Sequence, residues 1–145
     1  VNANTDHYML RAETPSVDTY LRLRVESGLS ARTVEAARVG LPNTWHAVTV
    51  RAGNSDGSEG EAVAMGRVVG DGGCVFQIVD ICVLPAHQGQ GLGKRIMAAL
   101  VGELERRAPQ GAYVSLIADG DARFLYEKFG FRPTAPESIG MHRRT

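Results

Sequence analysis

Ile81-Cys82-Val83-Leu84-Pro85-Ala86-His87-Gln88-Gly89-Gln90-Gly91-Leu92-Gly93-Lys94 is the stretch that decides the fold of this chain. Its first residues close a nearly unbroken apolar run from Val75 to Leu84, the pattern of a central strand covered on both faces. Its last residues open a segment from Gly91 to about Ala108. There Leu92, Ile96, Leu100 and Leu104 recur at helical spacing, with Lys94, Arg95, Glu103, Arg106 and Arg107 elsewhere around the axis. A buried strand therefore turns through three glycines into a long amphipathic helix. Glycines at alternate positions remove side chains and leave amides pointing outward at the positive end of the helix dipole, which suits two phosphates in a row. Lys94 and Arg95 add charge at the rim.

Two other glycine motifs fail on spacing. A Walker loop needs a glycine five positions before Gly93 and Ser or Thr after Lys94, and the chain has Gln88 and Arg95 there. A dinucleotide fingerprint starting at Gly89 wants glycine at Lys94, and one starting at Gly91 wants it at Ile96. A glycine-rich turn with no ligand stays open on spacing alone.

Working toward the N-terminus, Ala62 to Val69 and Trp45 to Val50 read as strands, joined by the hairpin loop Gly53 to Ser58, and Gly70-Asp71-Gly72-Gly73 turns the chain into the central strand. Before them come a short helix from Thr33 to Val39 and a longer one ending at Gly28, with Thr14 as its expected N-cap and Pro15 as its first residue. His7 to Glu13 alternates as a weak strand. Beyond the long helix, Pro109-Gln110-Gly111 breaks the chain and Tyr113 to Ala118 is a buried strand. A helix then carries Ala122, Leu125, Tyr126 and Phe129 on one face, and Phe131 to Pro133 and Ser138 to Arg143 are two last, weaker strands. The order is β-α-α-β-β-β-α-β-α-β-β. The fold class is α/β (α+β), one domain over 1–145 with a mixed twisted sheet of six to seven strands and about four helices.

Composition excludes more than it assigns. With 43% apolar and 22% charged residues the chain has the make-up of an ordinary globular protein. Lys plus Arg and Asp plus Glu each total 16, so no global field draws it to nucleic acid or an anionic membrane. Val1 to Glu13 lacks the pattern of a signal peptide, no apolar run is long enough to span a bilayer, and the two cysteines, Cys74 and Cys82, are read as reduced thiols. A cytoplasmic setting is the expectation. No Cys or His pair has metal-ligand spacing, so no metal is expected.

Gln88-x-x-Gly91-x-Gly93, preceded by Val83-x-Pro85 and followed by the amphipathic helix, resembles the pyrophosphate-binding motif of the GNAT superfamily of acetyl-CoA-dependent N-acyltransferases. Ala122-Arg123-Phe124-Leu125-Tyr126-Glu127-Lys128-Phe129-Gly130-Phe131 resembles the second signature of that family. The likeness runs from about His7 to the C-terminus, with its specific part at residues 79 to 131. It implies that the pantetheine arm of acetyl-CoA lies along Ile81, Cys82 and Val83. The turn of Gln88, Gly89, Gln90, Gly91, Leu92, Gly93 and Lys94 would hold the pyrophosphate. Asp119 stands where relatives often carry an asparagine that contacts the arm. The family layout also places Leu29, Trp45 and His46 near an acceptor pocket, although a plain core tryptophan fits Trp45 equally well. The family further suggests a homodimer.

Such a site must free an amine of its proton, hold a developing oxyanion and protonate a departing thiolate. Tyr126 matches the family's thiolate-protonating tyrosine, and its place on an apolar face also fits simple packing. Asp80, a carboxylate inside an apolar strand, is the candidate base, with pairing to Arg67 on the neighbouring strand as the alternative. Gln77 lies three residues from Asp80 and would face the other way unless a bulge intervenes; water could also relay the proton. A backbone amide near Val83 is the family's oxyanion donor. His87 reads as a solvated loop residue. The expected activity is acetyl transfer to a primary amine, more simply a small molecule than a protein lysine. A peptide acceptor or a non-catalytic acyl-CoA-binding module of the same fold are the alternatives.

Overall fold

The structure is a computed structural model that describes residues 7–145. Five strands, β1 (Tyr8–Arg11), β2 (His46–Gly53), β3 (Glu59–Gly70), β4 (Val75–Val83) and β5 (Tyr113–Leu116), form one sheet in that spatial order. The first four pair antiparallel and β5 joins β4 parallel. The crossover to β5 carries α3 (Leu92–Arg107), while α1 (Val17–Glu26) and α2 (Val34–Gly40) lie between β1 and β2, and α4 (Arg123–Glu127) follows β5. The mixed α/β class and the element order as far as α4 agree with the sequence reading. Its last two strands do not form: 131–145 contains no strand, so the sheet has five strands rather than six or seven. Pro133 and Pro136 deny the segment two backbone donors. Phe131 packs on the α3-side core, but the later apolar side chains gain little cover, with Ile139 and Met141 71% and 87% exposed. The outer edge of β5 is left without a strand neighbour among the described residues.

Both faces of the sheet are covered, as the apolar run of β4 requires. On one face Ile96, Met97 and Leu100 of α3 are fully buried against Val48, Val50, Val68, Phe76 and Ile78. Each such side chain contributes about 1.5–3 kcal/mol by leaving water. Gly66 permits that contact, because a Cβ there would stand 2.6 Å from Ile96 Cγ2 and 3.0 Å from Leu100 Cδ1. On the other face Tyr20 and Leu23 of α1 and Ala37 of α2 pack on Ala62, Met65 and Cys82. Helix α1 starts two residues later than expected, since Ser16 rather than Thr14 caps it, its Oγ accepting from the Thr19 amide at 3.2 Å. Gly28 (φ +91°) ends it, with Leu29 N–H donating back to Arg24 O at 2.8 Å.

A slip in the β3–β4 ladder shapes everything that follows. Met65 opposes Cys82 and Arg67 opposes Val79, so two steps along β3 match three along β4. The extra residue is Asp80, at φ +60° the only non-glycine in the left-handed region among the described residues. Aspartate tolerates that region better than most residues, at a cost of order 1–2 kcal/mol. The bulge also resets the alternation of faces. Before it Phe76 and Ile78 face α3; after it Ile81 and Val83 do, while Cys82 packs beside α1. Gln77 and Asp80, which a regular strand would set on opposite faces, therefore share the α1 face.

Candidate active site

Strand β4 outlasts its parallel neighbour. Pairing with β5 stops at Ile78 and Leu116, whereas β4 runs on to Val83, so its last residues border an opening on the β5 side. The ladder to β3 fixes which main-chain groups face that opening. Leu84 N–H donates to Val63 O at 2.9 Å. Strand alternation then turns Cys82 toward β3 as well, and turns the peptide groups of Val83 and, two residues back, Ile81 to the open side. Val83 O lies there and accepts from Gln88 Nε2 at 3.1 Å. Of the three residues expected to line an extended ligand, Ile81 and Val83 thus present main-chain groups and Cys82 does not.

The turn into α3 is held in an open shape by its glycines. Pro85–His87 forms a short 3-10 turn, after which Gly89 and Gly91 adopt φ of +76° and +79°. Gly91 is the N-cap of α3 and offers no capping side chain. The amides of Leu92, Gly93 and Lys94 in the first turn therefore lack an intrahelical acceptor and meet the positive end of a sixteen-residue helix. A Cβ on Gly89 or Gly91 would meet nothing within 4 Å, so the space outside the turn is free, and the dihedral angles are what call for glycine. At Gly93 a Cβ would come within 3.3 Å of Leu125 Cδ2, a tight contact where α4 leans on α3 that the leucine side chain would have to shift to relieve. His87 is less solvated than expected: its Nδ1 shares a 2.8 Å hydrogen bond with Tyr8 Oη, tying the turn to β1. An open nest of unpartnered amides fits a diphosphate, and the bared edge at Ile81 and Val83 fits an amide-bearing arm beside it.

Tyr126 sits on α4 with Leu125 and Phe129 against the α3-side core. Its hydroxyl makes no hydrogen bond among the described residues, so packing alone positions the ring. Burial, and secondarily the charge of Asp119, raises its pKa above the ordinary tyrosine value, which keeps the phenol protonated. Asp119 itself precedes a 3-10 turn and accepts the Ala122 amide through its main-chain oxygen.

Asp80 is committed elsewhere. Its Oδ1 accepts from Arg24 Nη1 at 2.5 Å and from Tyr20 Oη at 3.2 Å, and Oδ2 accepts from Arg67 Nε at 2.8 Å, with the carboxylate side chain only 5% exposed. Arg67 also donates to Thr44 Oγ1 at 2.5 Å and stacks over the Tyr20 ring. The geometry matches the alternative in which Asp80 pairs with Arg67, extended by a second guanidinium, that of Arg24, which no local pattern announces. Both oxygens are occupied by donors, which is unsuited to a base. Tyr20 and Arg24 are the residues that sequence reasoning missed; the spacing of Tyr20, Leu23 and Arg24 on one helix face was the available signal.

Trp45 also departs from expectation. It packs edge-on against Phe76 at 4.8 Å with Arg107 over its ring, on the α3 side and at the end of the sheet where β4 begins. The opening lies where β4 ends, about 20 Å along the strand. His46 keeps the same company, its pKa lowered by burial first and by Arg107 and Arg106 against an opposing Glu103. Leu29 does lie on the α1 side, packed with Leu84 beside Cys82 and Met65. Among the described residues no three His, Cys, Asp or Glu side chains group as a metal site, and no helix is long and apolar enough to cross a membrane.

The chain is similar to known proteins in both sequence and fold. The family of acetyltransferase (GNAT) domains matches residues 47–133. A crystal structure of a probable acetyltransferase of unknown function from methicillin-resistant Staphylococcus aureus is 43% identical, covering 95% of this chain and 99% of that one, with a TM-score of 0.84. A GNAT family acetyltransferase from Streptococcus pneumoniae, at 22% identity and a TM-score of 0.73, shares the fold over 95% and 98% of the two chains. Among curated relatives, a [ribosomal protein bS18]-alanine N-acetyltransferase of Haemophilus influenzae is 37% identical over 37% of each chain. GCN5-related N-acetyltransferase 2 of Arabidopsis thaliana is 34% identical over 66% of this chain and 40% of its own. The chain thus spans about two fifths of the length of these two curated relatives. Glycine turn, splayed parallel strands and family match coincide on the same residues, and the chain belongs to the GNAT acetyltransferase family.

Proposed function

We propose that this chain is an N-acetyltransferase that moves an acetyl group from acetyl-CoA to a primary amine by direct attack with both substrates bound. The observation that carries the proposal is the bared edge of β4 at Ile81 and Val83 running straight into the unpartnered amides of the α3 N-terminus. The residues that would hold the cofactor are Ile81 and Val83 along its arm, and Gln88, Gly89, Gln90, Gly91, Leu92, Gly93 and Lys94 around its diphosphate. Cys82 contributes there only by carrying the strand, and Asp119, at the head of the turn before α4, is the further candidate for contact with the arm. Acetyl-CoA, once bound, supplies an activated acetyl thioester.

The chain's own groups divide the remaining work. The Val83 amide on the open side is the donor for negative charge developing on the carbonyl oxygen. Tyr126, neutral and acidic enough, gives its proton to the departing sulfur. Asp80 positions rather than abstracts: held between Arg24 and Arg67, it fixes the bulge that turns Val83 outward, and the proton of the amine leaves to water. Leu29, on the α1 side beside Cys82 and Met65, is the wall offered to the acceptor, whereas Gln77, opposite Val69 where β4 begins, lies as far from the opening as Trp45. A small amine is the favoured acceptor. Ribosomal protein bS18 alanine and serotonin, named for two of the similar proteins, mark the range open to it. The setting proposed is cytoplasmic. A homodimer would have the uncovered edge of β5 as an available surface.

Titration calorimetry with coenzyme A, followed by thiol release from acetyl-CoA on a panel of amines, tests this reading. Heat with coenzyme A but none with ATP or NAD, and amine-dependent thiol release, are expected. Heat without release on any amine favours the non-catalytic module, and no heat removes the site.

A further inference from the structure

Three guanidinium groups converge on one hydroxyl. Ser30 Oγ receives Arg24 Nη2 at 3.0 Å, Arg32 Nη1 at 2.9 Å and Arg144 Nη2 at 3.1 Å, from α1, the α1–α2 loop and the C-terminal segment. A hydroxyl oxygen has two lone pairs, so three donors exceed what it can accept. Charge is out of balance as well. Arg24 and Arg67 share Asp80, while Arg32 and Arg144 form no ion pair with any carboxylate among the described residues. Asp80 thus neutralises only Arg24 and Arg67, while Arg32 and Arg144, both exposed, meet Arg24 at the Ser30 hydroxyl with no carboxylate of their own. Like charges gathered this closely repel one another unless an anion joins them.

The cluster is built rather than scattered. Arg24 is 4% exposed and is locked at both ends, to Asp80 on the β4 bulge and, through Nε at 2.8 Å, to Ser30 O. The loop that carries Ser30 is fixed by the Gly28 helix end. The C-terminal segment arrives past Ile117, whose Cδ1 would lie 3.2 Å from a Cβ on Gly140, before Arg144 reaches Ser30. The positive surface therefore borders the α1 side of the opening beside β4, opposite the glycine turn that suits the diphosphate.

We infer that Arg32 and Arg144, backed by Arg24 and Ser30, form an anion-binding site that receives a carboxylate or phosphate carried by the amine acceptor. The inference rests on the acetyltransferase reading only for the word acceptor; the anion site stands on the arginines alone. Guanidinium forks match both anions with paired hydrogen bonds. The acceptor class is then an amine of zwitterionic or net anionic character, rather than a polyamine or an apolar arylamine.

The test uses the whole chain and two readouts. Inorganic phosphate is titrated while the guanidinium resonances of Arg32 and Arg144 are followed by NMR, in wild type and with each arginine changed in turn to glutamine for assignment. Saturable shifts at both residues are expected, persisting when coenzyme A is present. Absence of shifts overturns the anion site, and shifts abolished by coenzyme A reassign it to a cofactor phosphate, which overturns the acceptor role. In the second arm, β-alanine is compared with β-alaninamide, and 2-aminoethyl phosphate with ethanolamine. At least tenfold higher kcat/KM for the anionic member of a pair, mainly through KM, is expected, falling to parity in Arg32→Gln/Arg144→Gln with coenzyme A heat unchanged. Equal turnover of neutral and anionic partners, or a preference that survives the double substitution, sinks the inference. Should coenzyme A give no heat, the acetyltransferase reading fails while the phosphate shifts still decide the site.

Discussion

The turn from Leu84 to Gly93 and the network around Asp80 flank the same strand, yet they are made of different material. The turn is built from main chain: its working groups are amides, and its side chains matter mostly by being absent, as at Gly89 and Gly91. The network is built from side chains that meet across 56 residues of sequence between Arg24 and Asp80, and 13 between Arg67 and Asp80. A main-chain site tolerates change in chemistry but not in shape, whereas a side-chain network tolerates neither loss of charge nor loss of a partner. The contrast predicts that substitutions on the two sides of β4 fail in different ways, one in binding and the other in folding.

The largest effect is expected at the turn. Gly91→Glu forces a residue with a Cβ to φ +79° and sets a negative charge where a diphosphate would lie. Coenzyme A heat should vanish at concentrations that saturate wild type, while unfolding shows only the backbone strain of about 1–2 kcal/mol that a non-glycine carries at this φ, since no atom crowds that Cβ. Affinity near that of wild type would remove the diphosphate from the turn.

Next comes Asp80→Asn. Asparagine also tolerates the left-handed region, so the substitution isolates the charge from the bulge. It leaves Arg24 and Arg67 facing one another with no anion between them, and breaking a buried pair in this way costs about 3–5 kcal/mol. Urea unfolding should show a loss of that size. A stable protein with turnover alone abolished would instead restore Asp80 as a base.

Tyr126→Phe should lower kcat by roughly 100-fold, toward the lower end of what a general acid supplies, with coenzyme A affinity within a few-fold. The pH profile sharpens the point. A phenol whose pKa is raised by burial holds its proton to higher pH, so the midpoint of the loss of the acid limb should lie above the ordinary value of about 10. Meanwhile kcat/KM should climb between pH 7 and 9 as the amine loses its proton. A fall in wild-type kcat beginning near pH 8 would assign the acid to another group.

These two regions also explain how much could be read from the sequence. The turn was legible because glycine spacing after an apolar run encodes a main-chain shape directly, and the periodicity of Leu92, Ile96, Leu100 and Leu104 fixed the helix that follows. Asp80 was visible as an oddity, but neither its bulge nor Arg24 could be read, since a register slip and a meeting across 56 residues leave no local pattern. Trp45 was misplaced by family layout: its true partners, Phe76 and Arg107, lie far off in sequence. The two last strands, Phe131 to Pro133 and Ser138 to Arg143, were over-read because local composition says nothing of whether a neighbouring strand will pair with them.

Cys82 carries the smallest expected effect and the finest test of the contrast, since it lies within the strand that both regions share. Its side chain points to α1, with Sγ 3.8 Å from Leu23 O, while its main chain is turned to β3 rather than to the opening. Burial first, and the Asp80 charge with it, pushes the thiol up to about 11, so at pH 8 it remains protonated and unreactive. Exposed Cys74 should therefore take up one equivalent of iodoacetamide at pH 8 while Cys82 takes none, by mass spectrometry of the folded protein. Cys82→Ala removes one buried sulfur, for a loss on the order of 1 kcal/mol in stability. It should leave coenzyme A affinity within twofold, because the groups at the opening belong to Ile81 and Val83. A tenfold loss of affinity without unfolding would mean that the strand presents the opposite set of main-chain groups to the cofactor.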